Sequence, residues 1–79
     1  MTDARDLLRA ALAVVRTRPA AAIRRLEGLR ASTADPRLRA RLWPALVALR
    51  RGRRVDAERW ISRALEYEAA RRSRRDIRR

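Results

Sequence analysis

Histidine, cysteine, lysine, asparagine, glutamine and phenylalanine are all absent from this chain. Without cysteine no disulfide can staple the fold, and without cysteine or histidine a zinc knot lacks its ligands. The same absences remove the commonest nucleophile and the commonest general base, so the chain is not expected to be an enzyme. Ser32, Ser62, Ser73 and Tyr67 have no base nearby in sequence. Asp3 and Asp6, beside Arg5 and Arg9, suit a helix dipole better than a metal. Gly28 and Gly52 are the only glycines, too few for a phosphate-cradling loop. The longest apolar run, Ala10–Val15, is far below the roughly 20 residues that span a bilayer. Met1–Asp6 mixes both charges and does not read as a signal peptide. The expectation is a cytoplasmic protein with no cofactor, no metal, no membrane association and no small-molecule substrate.

What is present is arginine. The 79 residues carry 22 basic side chains, all arginine, against 9 acids, for a net charge of +13. A GC-rich coding sequence would also raise alanine and arginine, so the distribution matters more than the total. Residues 1–36 hold seven arginines and four acids, a net of +3, whereas residues 37–79 hold fifteen and five, a net of +10. Arginine offers a planar fork suited to carboxylate and phosphate, so a polyanionic partner is expected. A chain this short buries a modest core. With no staple available, it is expected to rely on good helix packing or on self-association as a homodimer.

The apolar residues recur with helical spacing and no period-two run suggests a strand. A first helix is expected from an N-cap at Thr2 or Asp3 to about Arg16–Arg18, burying Leu7, Leu8, Ala11, Leu12 and Val15. Pro19 suits the first turn of a second helix, with Ala22, Ile23, Leu26 and Leu29 inward. Gly28 weakens that helix or marks a close approach, and Glu27 is expected to be neutralised by Arg24 and Arg30. Ala31–Ala34 reads as a connection. Asp35-Pro36 is an N-cap followed by proline at the first helical position, and Leu38, Leu42, Ala45, Leu46 and Leu49 then face inward. Pro44 interrupts this pattern without shifting its period, so one kinked helix is preferred over a fresh start at Pro44. Gly52 can take the left-handed conformation that ends a helix. A fourth helix is expected from about Arg54, with Ala57, Trp60, Ile61, Ala64 and Leu65 inward and Glu68 supported by Arg71 and Arg72. The reading is one helical domain over 1–70 and an arginine-rich tail over 71–79, either a frayed helical extension or disordered.

A shift of 35 residues superimposes the two halves. Ala10, Thr17, Ala22, Leu26 and Leu29 fall on Ala45, Gly52, Ala57, Ile61 and Ala64. Leu7, Leu12 and Val14 fall on Leu42, Val47 and Leu49. Such a period marks stacked helix pairs, since one hairpin cannot cover its own apolar face. Over residues 37–70 the chain resembles a tetratricopeptide repeat. Ala45, Gly52, Ala57 and Ala64 follow that family's small-residue spacing, and Ile61 and the Ala64-Leu65 pair also fit. Pro44 and the missing aromatic near Ala48 depart from it. The expected fold is all-α, four helices as two stacked antiparallel hairpins, tetratricopeptide-like or a plain four-helix bundle. The resemblance implies an interaction module with a concave groove for a peptide or partner helix.

Two arginine clusters stand out: Arg50, Arg51, Arg53 and Arg54 at the turn, and Arg71, Arg72, Arg74, Arg75, Arg78 and Arg79 in the tail. Roughly 25–35 Å of helix separates them. Between them Trp60, Arg63, Tyr67 and Arg71 form a stripe, with Arg59 nearby, that could stack on bases and hold phosphates. The structural alternative is that Trp60 and Tyr67 edge the core beneath arginine stems. The functional expectation is a small basic interaction module that binds an acidic protein or its own copy. The alternative is a nucleic-acid binder that uses backbone phosphate contacts.

Overall fold

The computed structural model describes residues 3–77, with side chains described through Arg71. Four helices follow one another: α1 over Ala4–Val14, α2 over Pro19–Ser32, α3 over Pro36–Arg50 and α4 over Arg54–Ile77. No strand occurs among the described residues. The fold is all-α, two antiparallel hairpins packed on each other, α1 with α2 and α3 with α4. α1 also packs on α4 and α2 on α3, while the backbones of the diagonal pairs stay apart. The helices thus close a ring around one core, the adjacency of an up-down-up-down bundle.

Local chemistry explains most boundaries. Asp3 is the N-cap of α1. α1 ends at Val14, earlier than the spacing suggests, and the turn that follows is closed by Arg18 N–H, which donates to the Val14 carbonyl at 2.7 Å. Arg18 then takes φ −138° and ψ 70°, away from helical geometry, as the residue before Pro19 must. α2 runs through Ser32, so the connection is Thr33–Asp35 rather than Ala31–Ala34. Asp35 caps α3 by accepting from Arg37 N–H at 2.9 Å.

α3 is continuous through Pro44. The lost hydrogen bond and the ring clash disfavour proline there, but burial of Leu42, Ala45, Leu46 and Leu49 on one face outweighs them. α3 ends in a Schellman motif. Arg53 N–H reaches back to the Ala48 carbonyl at 2.8 Å and Gly52 N–H to the Leu49 carbonyl at 3.1 Å. Gly52 sits at φ 74°, which a side chain disfavours. Its role is this turn, not a helix crossing, since a Cβ there would meet nothing within 4 Å. Gly28 likewise marks no close approach.

The core follows the apolar stripes. Leu8, Ala11 and Val15, then Ala22, Leu26 and Leu29, then the α3 leucines, then Ala57, Ile61 and Ala64 are all buried. Ala45, Ala57 and Ala64 are each fully buried, where absent side-chain bulk lets the helices approach. Leu7, Leu12, Ile23, Trp60 and Leu65 lie at the margin of the core. α4, at 24 residues, is about 36 Å long, so it outruns α3 at 15 residues. The molecule is accordingly 43 Å long and about 20 Å across. The tail begins as an unbroken continuation of α4 to Ile77. The side chains of Arg72, Arg74 and Arg75 lie outside the described ones, and Arg78 and Arg79 outside the described residues.

Candidate functional site

The expected aromatic and arginine stripe on α4 divides in two. At its lower end the Tyr67 hydroxyl donates to Asp35 Oδ2 at 2.5 Å. The Arg41 guanidinium lies 4.2 Å from the centroid of the Tyr67 ring. Arg71 donates to Asp35 Oδ2 at 3.3 Å and to Glu68 Oε2 at 3.2 Å. These groups tie α4 to the start of α3. Tyr67 and Arg71 are therefore engaged within the chain, and their first role is structural. The Tyr67 hydroxyl does most to pull the Asp35 carboxyl below its usual range; burial opposes it, and the Arg37 and Leu38 amides and the Arg71 charge assist. The same bond is the main cause that pushes the Tyr67 phenol up, with burial adding to it.

At the upper end the arrangement is open. Arg63 stacks 5.0 Å from the Trp60 ring centroid, and both Arg59 and Arg63 are exposed. Arg51, Arg53 and Arg54 project from the turn into solvent, and none makes an ion pair among the described residues. Arg50 pairs loosely with Glu27 at 3.4 Å, so Glu27 is met by α3 rather than by Arg24 or Arg30. Arg16 closes the same end by a forked contact to Glu58, Nε to Oε1 at 2.6 Å and Nη2 to Oε2 at 3.2 Å. This contact holds the Glu58 carboxyl below its usual range and raises the Arg16 guanidinium.

Trp43 was not singled out by the spacing, yet with Val55 it is one of two large apolar side chains exposed among the described residues. It stands 49% exposed on α3. Its signal in the sequence is that Leu42–Leu49 is apolar all round, more than one inward face can bury. The excess surfaces as Trp43, Pro44 and Val47. Together with Ala48 and Trp60 these line a groove of about 290 Å³ between α3 and α4, with Arg51, Arg53 and Asp56 at its turn end. On the other flank of Trp43, Glu27 and Arg30 of α2 face Arg39, Leu46 and Arg50 of α3 across a cleft of about 380 Å³. Arg30 lies 5.0 Å from the Trp43 ring centroid.

Glu68 is the other residue the spacing missed. It is 1% exposed, and its Oε1 is buried with no hydrogen-bond partner. It falls four residues after Ala64 and seven after Ile61, on the inward face, where an acid is unexpected. Ser32 Oγ donates to the Leu29 carbonyl at 3.2 Å, a helix-end role. Among the described residues no group of three or more acidic side chains could hold a metal ion. Nor is any helix of the described residues long and apolar enough to cross a membrane.

No protein family matches the chain, and neither a curated protein nor a solved structure matches it. These comparisons therefore add nothing to the resemblance of residues 37–70 to a tetratricopeptide repeat.

Proposed function

We propose that this chain is a docking module for an acidic protein segment with one apolar face, seated in the groove between α3 and α4. The observation that carries the reading is Trp43, 49% exposed beside Pro44, Val47 and Trp60. Tryptophan and arginine are the residues that most often anchor protein interfaces. An amphipathic helix laid in an apolar groove is a recurring recognition mode. Charge selects the occupant. A second copy would bring its own +13 to a surface already rich in arginine, whereas an acidic segment is attracted to it.

The test is a synthetic helical peptide with leucine along one face and glutamate elsewhere, against a control with those leucines replaced by serine. Saturable binding with a blue shift of tryptophan emission is expected, and the serine peptide should bind about tenfold more weakly. Val47→Glu should abolish the difference between the peptides. Equal binding of both peptides to the unaltered chain, or full binding by Val47→Glu, rules the groove out.

A nucleic-acid partner is the second reading, favoured by the exposed Arg51, Arg53, Arg54 and Arg59, which make no ion pair among the described residues. About six phosphate contacts would weaken binding by roughly 10³–10⁵ between 50 and 200 mM salt. Deleting residues 71–79 should reduce nucleic-acid affinity and spare a groove contact. Probes that bind no better than a neutral control at low salt exclude this reading.

A further inference from the structure

We infer that the cleft between α2 and α3 binds a phosphate-type dianion. Arg39, Trp43, Leu46 and Arg50 follow one another along one face of α3, and Glu27 and Arg30 meet them from α2. Three guanidinium groups against one carboxylate leave a surplus of two positive charges. A phosphomonoester carries about −1.5 to −2 at neutral pH and matches that surplus.

The bonding within the cleft is incomplete. The Nε–H of Arg30 is buried and donates to nothing among the described residues. A buried charged donor without an acceptor is unfavourable, and a small shift of the side chain toward a ligand oxygen would complete it. The plane of Arg30 is held against Trp43. Arg39 is tethered by its Nη2 bond to the Thr33 carbonyl at 2.8 Å. Two of the three forks are therefore restrained before any ligand arrives, which reduces the entropy lost on binding. Arg50 and Glu27 are the adjustable pair. Their 3.4 Å separation exceeds the roughly 2.7–2.9 Å of a tight charged hydrogen bond, and both side chains are half exposed. Glu27 thus stands as a weak internal competitor for the site. A volume of about 380 Å³ admits a phosphate with part of whatever carries it.

This inference does not rest on the groove reading. It uses the opposite flank of Trp43, and Arg30, Arg39, Arg50 and Glu27 take no part in the groove. The test uses the full chain carrying Trp60→Phe, so that Trp43 alone reports by its emission. Inorganic phosphate, ribose 5-phosphate and AMP are titrated at constant ionic strength. Saturable binding with Kd of about 0.1–1 mM is expected for the phosphates. Arg30→Gln should weaken it about tenfold, Arg9→Gln on the exposed face of α1 should leave it unchanged, and Glu27→Gln should tighten it severalfold by removing the competitor. Equal affinity across the three ligands assigns recognition to the phosphate group itself, and tighter AMP binding adds a contact of its ring with Trp43; both support the site. No saturation with any ligand overturns the inference. So does equal weakening by Arg30→Gln and Arg9→Gln, which marks diffuse attraction to a basic surface. A Glu27→Gln chain that folds and binds no more tightly overturns it too, independently of whether Arg30→Gln folds.

Discussion

Asp35→Ala is the substitution whose cost follows most directly from the structure. The carboxylate caps α3 through the Arg37 N–H at 2.9 Å, and losing such a cap costs about 1 kcal/mol. It also accepts from the Tyr67 hydroxyl at 2.5 Å, and hydrogen bonds to charged groups contribute about 1.5–3 kcal/mol. Arg71 adds little, about 0–0.5 kcal/mol, because it is 40% exposed and keeps Glu68. The three effects share one side chain and do not simply add, so a loss of about 3 kcal/mol is expected. For a chain of 79 residues the whole stability is roughly 4–12 kcal/mol. The melting temperature should fall by roughly 12–24 °C. Urea unfolding followed by circular dichroism measures this, and a cycle with Tyr67→Phe isolates the pair. Asp35→Asn separates capping from charge: asparagine caps as well as aspartate, so it should lose only about 1–2 kcal/mol. Acid supplies a second check. The Asp35 pKa is lowered from 3.8, so its contribution is complete above about pH 4 and disappears as pH falls through the lower folded value. A loss below about 0.5 kcal/mol in Asp35→Ala, or an additive cycle with Tyr67→Phe, would show that the Asp35–Tyr67 contact does not hold α4 to α3.

Alkali tests the same contact from the other partner. With no lysine or cysteine, Tyr67 is the one side chain that titrates between the neutral range and arginine. Its pKa is raised above 10.0, so its contribution is complete below pH 10 and is lost as pH rises through the higher folded value; Tyr67→Phe should flatten that limb of the stability profile. Pro44→Ala restores a hydrogen bond to the middle of α3 and should raise stability by about 1–3 kcal/mol in urea unfolding; a decrease would mean that the ring is required by its neighbours. Glu68→Met replaces a buried acid with one unpartnered oxygen and leaves Arg71 its contact with Asp35, so a gain of about 1 kcal/mol is expected. A loss of that size in thermal melts would show that the Glu68–Arg71 bond outweighs the burial of charge.

The architecture was legible because it rests on signals local in sequence. Pro19 and Pro36 each open a helix, Asp35 caps one and Gly52 ends one. Every apolar residue that proved buried, except Ala48, falls on a stripe expected from the spacing. The failures share a different cause. Glu68 occupies an inward position, but an acid near Arg71 and Arg72 reads as a surface residue until tertiary packing encloses it. Trp43 was lost in a stretch where nearly every position is apolar, so periodicity could not assign it a side. Tyr67 and Asp35 lie 32 residues apart, and no one-dimensional pattern joins them. The stripe from Trp60 to Arg71 is real as spacing. Its lower half is drawn into the fold by an acid that sequence distance concealed.

The ion pairs give the arginine surplus a structural logic. Three acids join elements that neighbour one another around the bundle. Glu58 meets Arg16 from the end of α1, Glu27 meets Arg50 across α2 and α3, and Asp35 meets Arg71 across α3 and α4. Each closes one seam of the ring, so these three acids serve contacts between helices. Arginine, more than twice as frequent, supplies those seams and still covers the outer faces of the turn and of α4. Coding bias alone would raise arginine without regard to where the acids fall. Here part of the surplus stands beside Trp43 and Trp60, where the apolar surface is also left open. A folded chain that leaves aromatic surface and unpaired guanidinium groups in the same place gains most from a ligand that is apolar on one side and anionic on the other. Neither feature alone would demand such a ligand, because single exposed apolar residues and solvated arginines are both ordinary. Their coincidence on α3 and its two flanks is what the proposed binding at this face rests on.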